Sequence, residues 1–303
     1  MPMRGKITKN LKANICIYIT LFIASLSAPK SWATMIPEND AYNPAYGNLF
    51  KVGVSKEAFF ELIDFFEDLY RPQVEALGAE KWEIDGDWYA GDVGAFAMQY
   101  SGNWTVTVYG GLARHHAMTV DGLASVICHE IGHHLGGAPK KQEVLWTGWT
   151  SVEGQADYYS AAKCFMRYVE NISKTFEDQK RYTPSNFLRK KCKAAVKIHP
   201  AKNFTEKYCI RSAMAAFSAE EMVRLSLGEE PISFDTPDLA VVDKTYDLHP
   251  NSQCRLDTLL AGILCPIDPY EEFDDEDYKV AACHSDFYPE FSRSRCWFNP
   301  DNY

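Results

Sequence analysis

The spacing of apolar residues predicts a helix early in the chain and a strand after it. Between residues 55 and 77 apolar side chains recur every three or four positions, which is typical of an amphipathic helix, and Gly78 follows at its end. From Trp82 to Tyr109 the period shortens, and the stretch WTVTVY (104–109) alternates tryptophan or valine with threonine. The pattern therefore predicts a strand shortly before a second, more apolar helix.

That second helix is predicted within TVDGLASVICHEIGHHLGGAP, residues 119–139. Thr119 can cap its first turn, and Gly136, Gly137 and Pro139 can end it. The residues expected to face the core are Leu123, Val126, Ile127 and Ile131. The histidine-rich part of the stretch therefore lies late in a core helix.

Residues 129–133, HEIGH, place two histidines and a glutamate within about one helical turn. Four helical residues advance about 400°, so His129 and His133 project from nearly the same face and can reach one zinc ion at roughly 2.0 to 2.1 Å. Glu130 lies about 100° around the helix, where a carboxylate can move a proton from a water to a leaving amine. The alternative interpretation is two packed or surface histidines. His134 points off this face and either supports a ligand or simply packs.

A catalytic zinc usually has three protein ligands, so another residue is needed. One extended zinc motif would place a histidine at position 139, but Pro139 cannot bind a metal. The stretch SVEGQADYYSAAKC (151–164) offers Glu153 and, one turn later, Asp157. Glu153 is therefore the expected third ligand, and Asp157 is expected to accept the free N–H of a ligand histidine. The alternative is that these two carboxylates bind no metal and only stabilise the N-terminus of their helix by interacting with its dipole.

Taken together, the motifs resemble a known peptidase family. HEIGH and EGQAD (153–157) match the paired motifs of the gluzincin zinc metallopeptidases that include the type-1 CAAX prenyl endopeptidase and bacterial heat-shock and periplasmic quality-control proteases. VTVYGGL (106–112) and LHPNSQCR (248–255) resemble two further segments of that family, and together the likeness covers roughly residues 80–260.

The resemblance implies an α+β zincin-like domain with the HEIGH helix, a following glutamate-bearing helix and a small antiparallel or mixed sheet. It implies one zinc ion per chain, with Glu130 as general base, and an edge strand that pairs with an extended peptide. WTVTVY is the expected strand. It also suggests that His249 or Arg255 lies near the metal. That residue would then either donate a hydrogen bond to the oxyanion of the attacked carbonyl or occupy the fourth zinc position. The alternative is that His249 is a histidine in a surface turn.

The function expected from this resemblance is zinc-dependent endopeptidase activity on a peptide or an unfolded or misassembled protein. Membrane helices of the prenyl endopeptidase are missing, which argues against a prenylated substrate, and the cysteine count is high for the periplasmic members. Two alternatives remain open. One is a catalytically silent zinc protein that acts as a chaperone or assembly factor, and the other is a zinc hydrolase that acts on a different bond.

The N-terminal sequence indicates the compartment of the protein, and its net charge makes one class of partner unexpected. Residues 1–33 have a basic start, a short apolar run and a small-x-small site at Ser31 to Ala33, which is typical of a cleaved signal peptide. The expected mature chain, 34–303, is a single domain, exported to the periplasm or the exterior. Its formal charge moves from −10 to about −15, so nucleic acid is an unexpected partner. No later stretch predicts a membrane span.

The mature chain would keep eight of the nine cysteines. Export to an oxidising compartment predicts that most of them form disulfides, although the sequence does not give the pairing. Cys254 with Cys265 is one guess, and Cys128 is a candidate for a buried free thiol.

Overall fold

A computed structural model describes residues 53–141, 148–172, 181–199 and 203–302. The predicted signal peptide, residues 1–33, lies outside the described residues. The first element is helix α1, Lys56–Ala76, which begins where the Oγ of Ser55 accepts a hydrogen bond from the amide of Ala58. Its apolar stripe is buried against strand β1, as its helical spacing predicts. Gly78 follows with φ +100°, a conformation that favours glycine.

Three strands form a small mixed sheet in the order β1-β3-β2. They are β1, Lys81–Asp87; β2, Ala95–Tyr100; and β3, Asn103–Tyr109. β1 runs parallel to β3, with Lys81 opposite Asn103, and β2 runs antiparallel to it, with Ala95 opposite Val108. The general α+β class is therefore confirmed.

The predicted role of WTVTVY as a peptide-binding edge strand is wrong. This stretch lies in β3, the central strand, whose two edges already hydrogen bond to β1 and β2. Alternation of apolar residues gives the faces of a strand but not its place in the sheet. β2 is an edge strand, and it is the strand that packs most closely on the helix bearing HEIGH.

After the short helix α2, Gly110–Arg114, the chain enters helix α3, Val120–Leu135, at the predicted position. The Oγ1 of Thr119 caps it by accepting from the amide of Gly122 at 3.0 Å. Every residue of α3 except Val126 is buried, because the helix packs between the sheet and two later helices. Gly137, at φ +66°, follows its C-terminus.

The expected helix that bears Glu153 is also present. Helix α4, Glu153–Tyr159, continues through a π-helical turn, Ser160–Cys164, into helix α5, Phe165–Asn171. α4 crosses α3 closely at Gly132, where a Cβ atom would lie 2.8 Å from the carbonyl oxygen of Ala156. The missing side chain of Gly132 therefore allows the two helices to approach.

Helices α6, Asn186–Ala195, α7, Glu206–Leu227, and α8, Ser252–Leu264, complete the helical layer. α7 packs on α3, and α8 packs on both α4 and α7. No helix among the described residues is both long and apolar enough to cross a membrane.

The eight cysteines expected in the mature chain pair in four disulfides, which confirms the general prediction. The pairs are Cys128–Cys164, Cys192–Cys209, Cys254–Cys296 and Cys265–Cys283. The guess that Cys254 pairs with Cys265 is wrong because Cys254 lies in the first turn of α8 and Cys265 just after its end. Eleven helical residues span roughly 16 Å, which no disulfide bridges. Cys128 is not a free thiol.

Candidate metal centre and active site

Two imidazoles and a carboxylate converge between α3 and α4. The Nε2 atom of His129 lies 3.3 Å from the Oε2 atom of Glu153, and the Nε2 atom of His133 lies 3.5 Å from the same oxygen. All three side chains are buried. The structure therefore brings together the three residues that the sequence predicts as ligands.

Hydrogen bonds outside the cluster fix which nitrogen of each histidine faces inward. The Nδ1 of His129 donates to Asp157 Oδ1 at 2.7 Å, and the Nδ1 of His133 donates to the Ser151 carbonyl at 2.9 Å. A carboxylate and a carbonyl are acceptors only, so each neutral ring carries its proton on Nδ1. Both Nε2 lone pairs are then directed toward Glu153.

This arrangement fits a metal ion. Glu153 Oε2 is fully buried and has no hydrogen-bond partner within the described part of the chain. Ligand atoms about 2.0 to 2.1 Å from a tetrahedral zinc are separated by about 3.3 Å, close to the two distances observed here. When both imidazoles are neutral, two nitrogens and one oxygen converge as acceptors, and a cation between them would offset their mutual repulsion.

A second group of potential ligand atoms, Asp238 with Cys254 and Cys296, is different. Its sulfurs are bonded to each other in a disulfide, so they cannot serve as thiolate ligands. The cluster of His129, His133 and Glu153 is therefore the better candidate of the two.

Asp157 holds His129 in place and is itself held by Arg255. The guanidinium of Arg255 donates from Nε and Nη2 to the two oxygens of Asp157, at 2.9 and 2.8 Å. Burial would raise the pKa of Asp157, but Arg255 and His129 outweigh it and keep that pKa well below its ordinary range. Asp157 thus accepts a hydrogen bond from the candidate ligand His129, and Arg255 contacts Asp157 rather than Glu153.

Lys141 is a contact that the sequence did not predict. Its Nζ donates to Glu153 Oε1 at 2.8 Å, which leaves Oε2 facing the two histidines. Nothing in the spacing around the motif indicates this, because Lys141 lies beyond the helix in a segment whose path depends on the tertiary fold. Lys141 therefore orients the third ligand from outside the motifs.

Glu130 and His249 lie next to the cluster. Glu130 is buried beside His129 on the wall of a pocket, and burial raises its pKa above the ordinary value. His249 lies in the loop before α8, as the following proline predicts, and its Nε2 lies 3.1 Å from Glu153 Oε2. The structure thus brings the predicted base and His249 to the cluster.

His134 packs instead of reaching the cluster. Its ring stacks between Trp104 and Trp149, with centroid distances of 5.4 and 5.2 Å. Its Nε2 lies 3.1 Å from the Thr105 carbonyl, and burial lowers its pKa to about 3. His134 therefore joins α3 to the sheet as a neutral side chain.

A pocket that is open to solvent adjoins the cluster. Its volume, together with the solvent space at its mouth, is about 520 Å³. His129, Glu130, His249 and Arg255 line one side of it, and Ala95 at the start of β2 lines another. The pocket therefore connects the candidate ligands to the edge strand.

Comparisons with protein-family models, curated proteins and solved structures gave no match to this chain.

Proposed function

We propose that this protein is an exported zinc-dependent endopeptidase of the gluzincin type. The observation that carries the proposal is the convergence of His129, His133 and Glu153, with Glu130 on the wall of a pocket next to them. A purely structural zinc site would close its fourth position with a fourth protein ligand and would need no neighbouring base. The four disulfides indicate an oxidising environment, which agrees with export.

Zinc held by these residues would supply a Lewis acid that makes water a nucleophile near neutral pH. The role of Glu130 is to accept a proton from the attacking water and pass it to the leaving amine.

Asp157 and Arg255 act on the ligands and do not touch the reacting atoms. Asp157 keeps the proton of His129 on Nδ1, and Arg255 keeps Asp157 ionised and oriented. Lys141 performs the corresponding task for Glu153. These residues are therefore positioning residues, and their loss should weaken metal binding.

His249 is the nearer candidate for an oxyanion donor. Its Nε2 contacts the ligand oxygen of Glu153, and about a quarter of its side chain remains exposed on the open side of the cluster. From this position an N–H can reach the oxygen of a carbonyl under attack. The same position also suits a group that blocks the fourth coordination site, so its role is decided by experiment.

Strand β2 offers the place for an extended peptide. It pairs with β3 on one side, packs close to α3 and begins at the pocket. A peptide added at its other edge would gain main-chain hydrogen bonds with little dependence on sequence. This suits an unfolded or misassembled protein as substrate.

The test is digestion of casein by zinc-loaded protein, by chelated protein and by a Glu130→Gln variant. We expect cleavage only by the zinc-loaded wild type, and we expect Glu130→Gln to retain one zinc per chain. Glu221→Gln is the matched control, because Glu221 pairs with Arg224 within α7 and is not one of the candidate site residues.

Full activity of Glu130→Gln would exclude Glu130 as the base. No cleavage by the wild type, together with suppression of aggregation of an unfolded protein by wild type and Glu130→Gln alike, would favour the chaperone function instead. Zinc content unchanged in His133→Ala would remove the ligand assignment.

A further inference from the structure

One buried carboxylate next to the site has no place in the proposed mechanism. Glu220, on α7, is 2% exposed and lines the pocket that adjoins His129 and Glu130. Its Oε2 has no hydrogen-bond partner among the residues described. An unpartnered buried carboxylate is costly, so its retention calls for a reason.

The nearest cation does not satisfy this carboxylate. The Nη2 of Arg255 lies 3.6 Å from Glu220 Oε1, beyond hydrogen-bond length. Arg255 already forms two short hydrogen bonds with Asp157, so its charge is matched there. Arg255 therefore lies within ion-pair distance of Glu220 but gives its hydrogen bonds to Asp157, and Glu220 receives none from it.

Burial raises the pKa of Glu220 to about 7, an effect that Arg255 opposes and Asp157 reinforces. A cation that entered the pocket would favour the ionised form and would find an acceptor with a free oxygen.

Besides Glu220, the pocket is lined by the polar side chains of Ser125, His129, Glu130, Asp157, His249 and Arg255, and the remaining lining is apolar. Its apolar lining residues include Val93, Leu112, Val126, Met222, Val223 and Leu259. Apolar walls with a carboxylate among them match a side chain that has a long aliphatic stem and a polar end. A wholly apolar side chain would fill the same space but would leave Glu220 buried without a partner.

The geometry of the carboxylate favours lysine over arginine. Only Oε2 is free, since Oε1 faces Arg255, and a single acceptor suits the compact ammonium of lysine. The guanidinium of arginine would use both oxygens of a carboxylate in a fork, and the second guanidinium would lie beside Arg255.

We propose that this pocket is a specificity site that takes a lysine side chain of the substrate, adjacent to the scissile bond, with Glu220 as the partner of its ammonium. This inference rests on the proposed endopeptidase function. The acidic chain as a whole, with a formal charge of −10, would also attract cationic peptides.

Two measurements test it. First, a denatured protein is digested with the zinc-loaded enzyme and the cut sites are read by mass spectrometry. Lysine should be enriched at one fixed position relative to the cut. Second, a peptide built around such a site is compared with the same peptide carrying norleucine or acetyl-lysine there. We expect kcat/KM to favour lysine by about tenfold to 100-fold.

Glu220→Gln, which keeps the shape and removes the charge, should reduce this preference to about twofold or less. Glu221→Gln is the matched control, since it removes the same charge one residue along α7, outside the pocket lining, and should keep the preference. Zinc content and Tm of both variants show whether they are folded. If Glu220→Gln does not fold, the peptide series on the wild type still decides, because equal rates for lysine and norleucine would overturn the proposal.

Binding separates this inference from the proposed function. The lysine and norleucine peptides are titrated into zinc-loaded Glu130→Gln protein by calorimetry. If the lysine peptide binds more tightly than the norleucine peptide, and a double variant with Glu130→Gln and Glu220→Gln loses this difference, the pocket assignment is supported even if the wild type cleaves nothing. Cleavage without any lysine preference would overturn the pocket assignment and leave the endopeptidase function standing.

Discussion

We expect the close crossing of α3 and α4 at Gly132 to set the distance between the candidate histidine ligands and Glu153. Gly132 precedes His133, and Ala156 on the opposite helix lies between Glu153 and Asp157. A Cβ atom on Gly132 would lie 2.8 Å from the Ala156 carbonyl oxygen and 2.9 Å from its Cα. We therefore expect Gly132→Ala to force the two helices apart at the metal cluster.

The size of this effect follows from the contact distances. Ordinary contacts of carbon atoms lie at about 3.5 to 4.0 Å, so the backbones must separate by at least about 0.5 Å. Metal–ligand distances tolerate only about 0.2 Å. Overpacking of this kind should lower the free energy of unfolding of the metal-free protein by about 1–3 kcal/mol. Zinc affinity should fall by about 10- to 100-fold, the range found when a ligand loses its proper orientation.

Gly122→Ala is the matched control on the same helix. A Cβ atom there would lie 2.5 Å from the Oγ of Ser218 on α7, well before the metal motif. This change should also destabilise the protein but leave zinc affinity close to that of the wild type. Zinc affinity is measured by competition with a chelating dye, and stability by urea unfolding of the metal-free protein. Equal zinc affinity for Gly132→Ala and Gly122→Ala would refute the argument that this crossing sets the ligand distance.

The contacts around the ligands also set the expected results of other changes. Asp157→Asn should weaken zinc binding by about 10- to 100-fold, because the amide no longer fixes the tautomer of His129; an unchanged affinity in the dye assay would contradict this. His249→Ala should reduce kcat by about 10²-fold with zinc retained if His249 is an oxyanion donor, whereas increased activity would identify a blocking group and unchanged activity would exclude both roles. Replacing Cys128 and Cys164 together by alanine opens a loop of 36 residues and should cost about 4 kcal/mol in urea unfolding; an unchanged midpoint would contradict that estimate.

The residues of the candidate metal site were predictable because their geometry is local. Two histidines four residues apart face the same way on any α-helix, so His129 and His133 needed no knowledge of the fold. Glu153 and Asp157 are likewise one turn apart, and their small neighbours, such as Ala156, indicated a helix that could approach closely. The capping of α3 by Thr119 was predictable for the same reason.

Features that depend on tertiary placement were not predictable. Glu220 is one of two adjacent glutamates in α7, and only the packing of α7 on α3 distinguishes it from Glu221, which is partly exposed and pairs with Arg224. Lys141 belongs to a loop, and its contact with Glu153 depends on where that loop runs. The order of the strands was hidden for a related reason, since alternation in residues 104–109 identifies a strand without identifying its neighbours.

Two of the four disulfides are attached directly beside residues of the candidate site. Cys128 precedes His129 and joins α3 to the end of the π-helical turn at Cys164, and Cys254 precedes Arg255 and joins α8 to Cys296. These bonds fix both helices at the points where their side chains meet Asp157. Because ligands must be held within a few tenths of an ångström for zinc to bind well, we expect the oxidised chain to bind metal more tightly than the reduced one. Oxidation should therefore precede metal loading, an order that suits a protein that folds in an oxidising compartment and acquires its metal there.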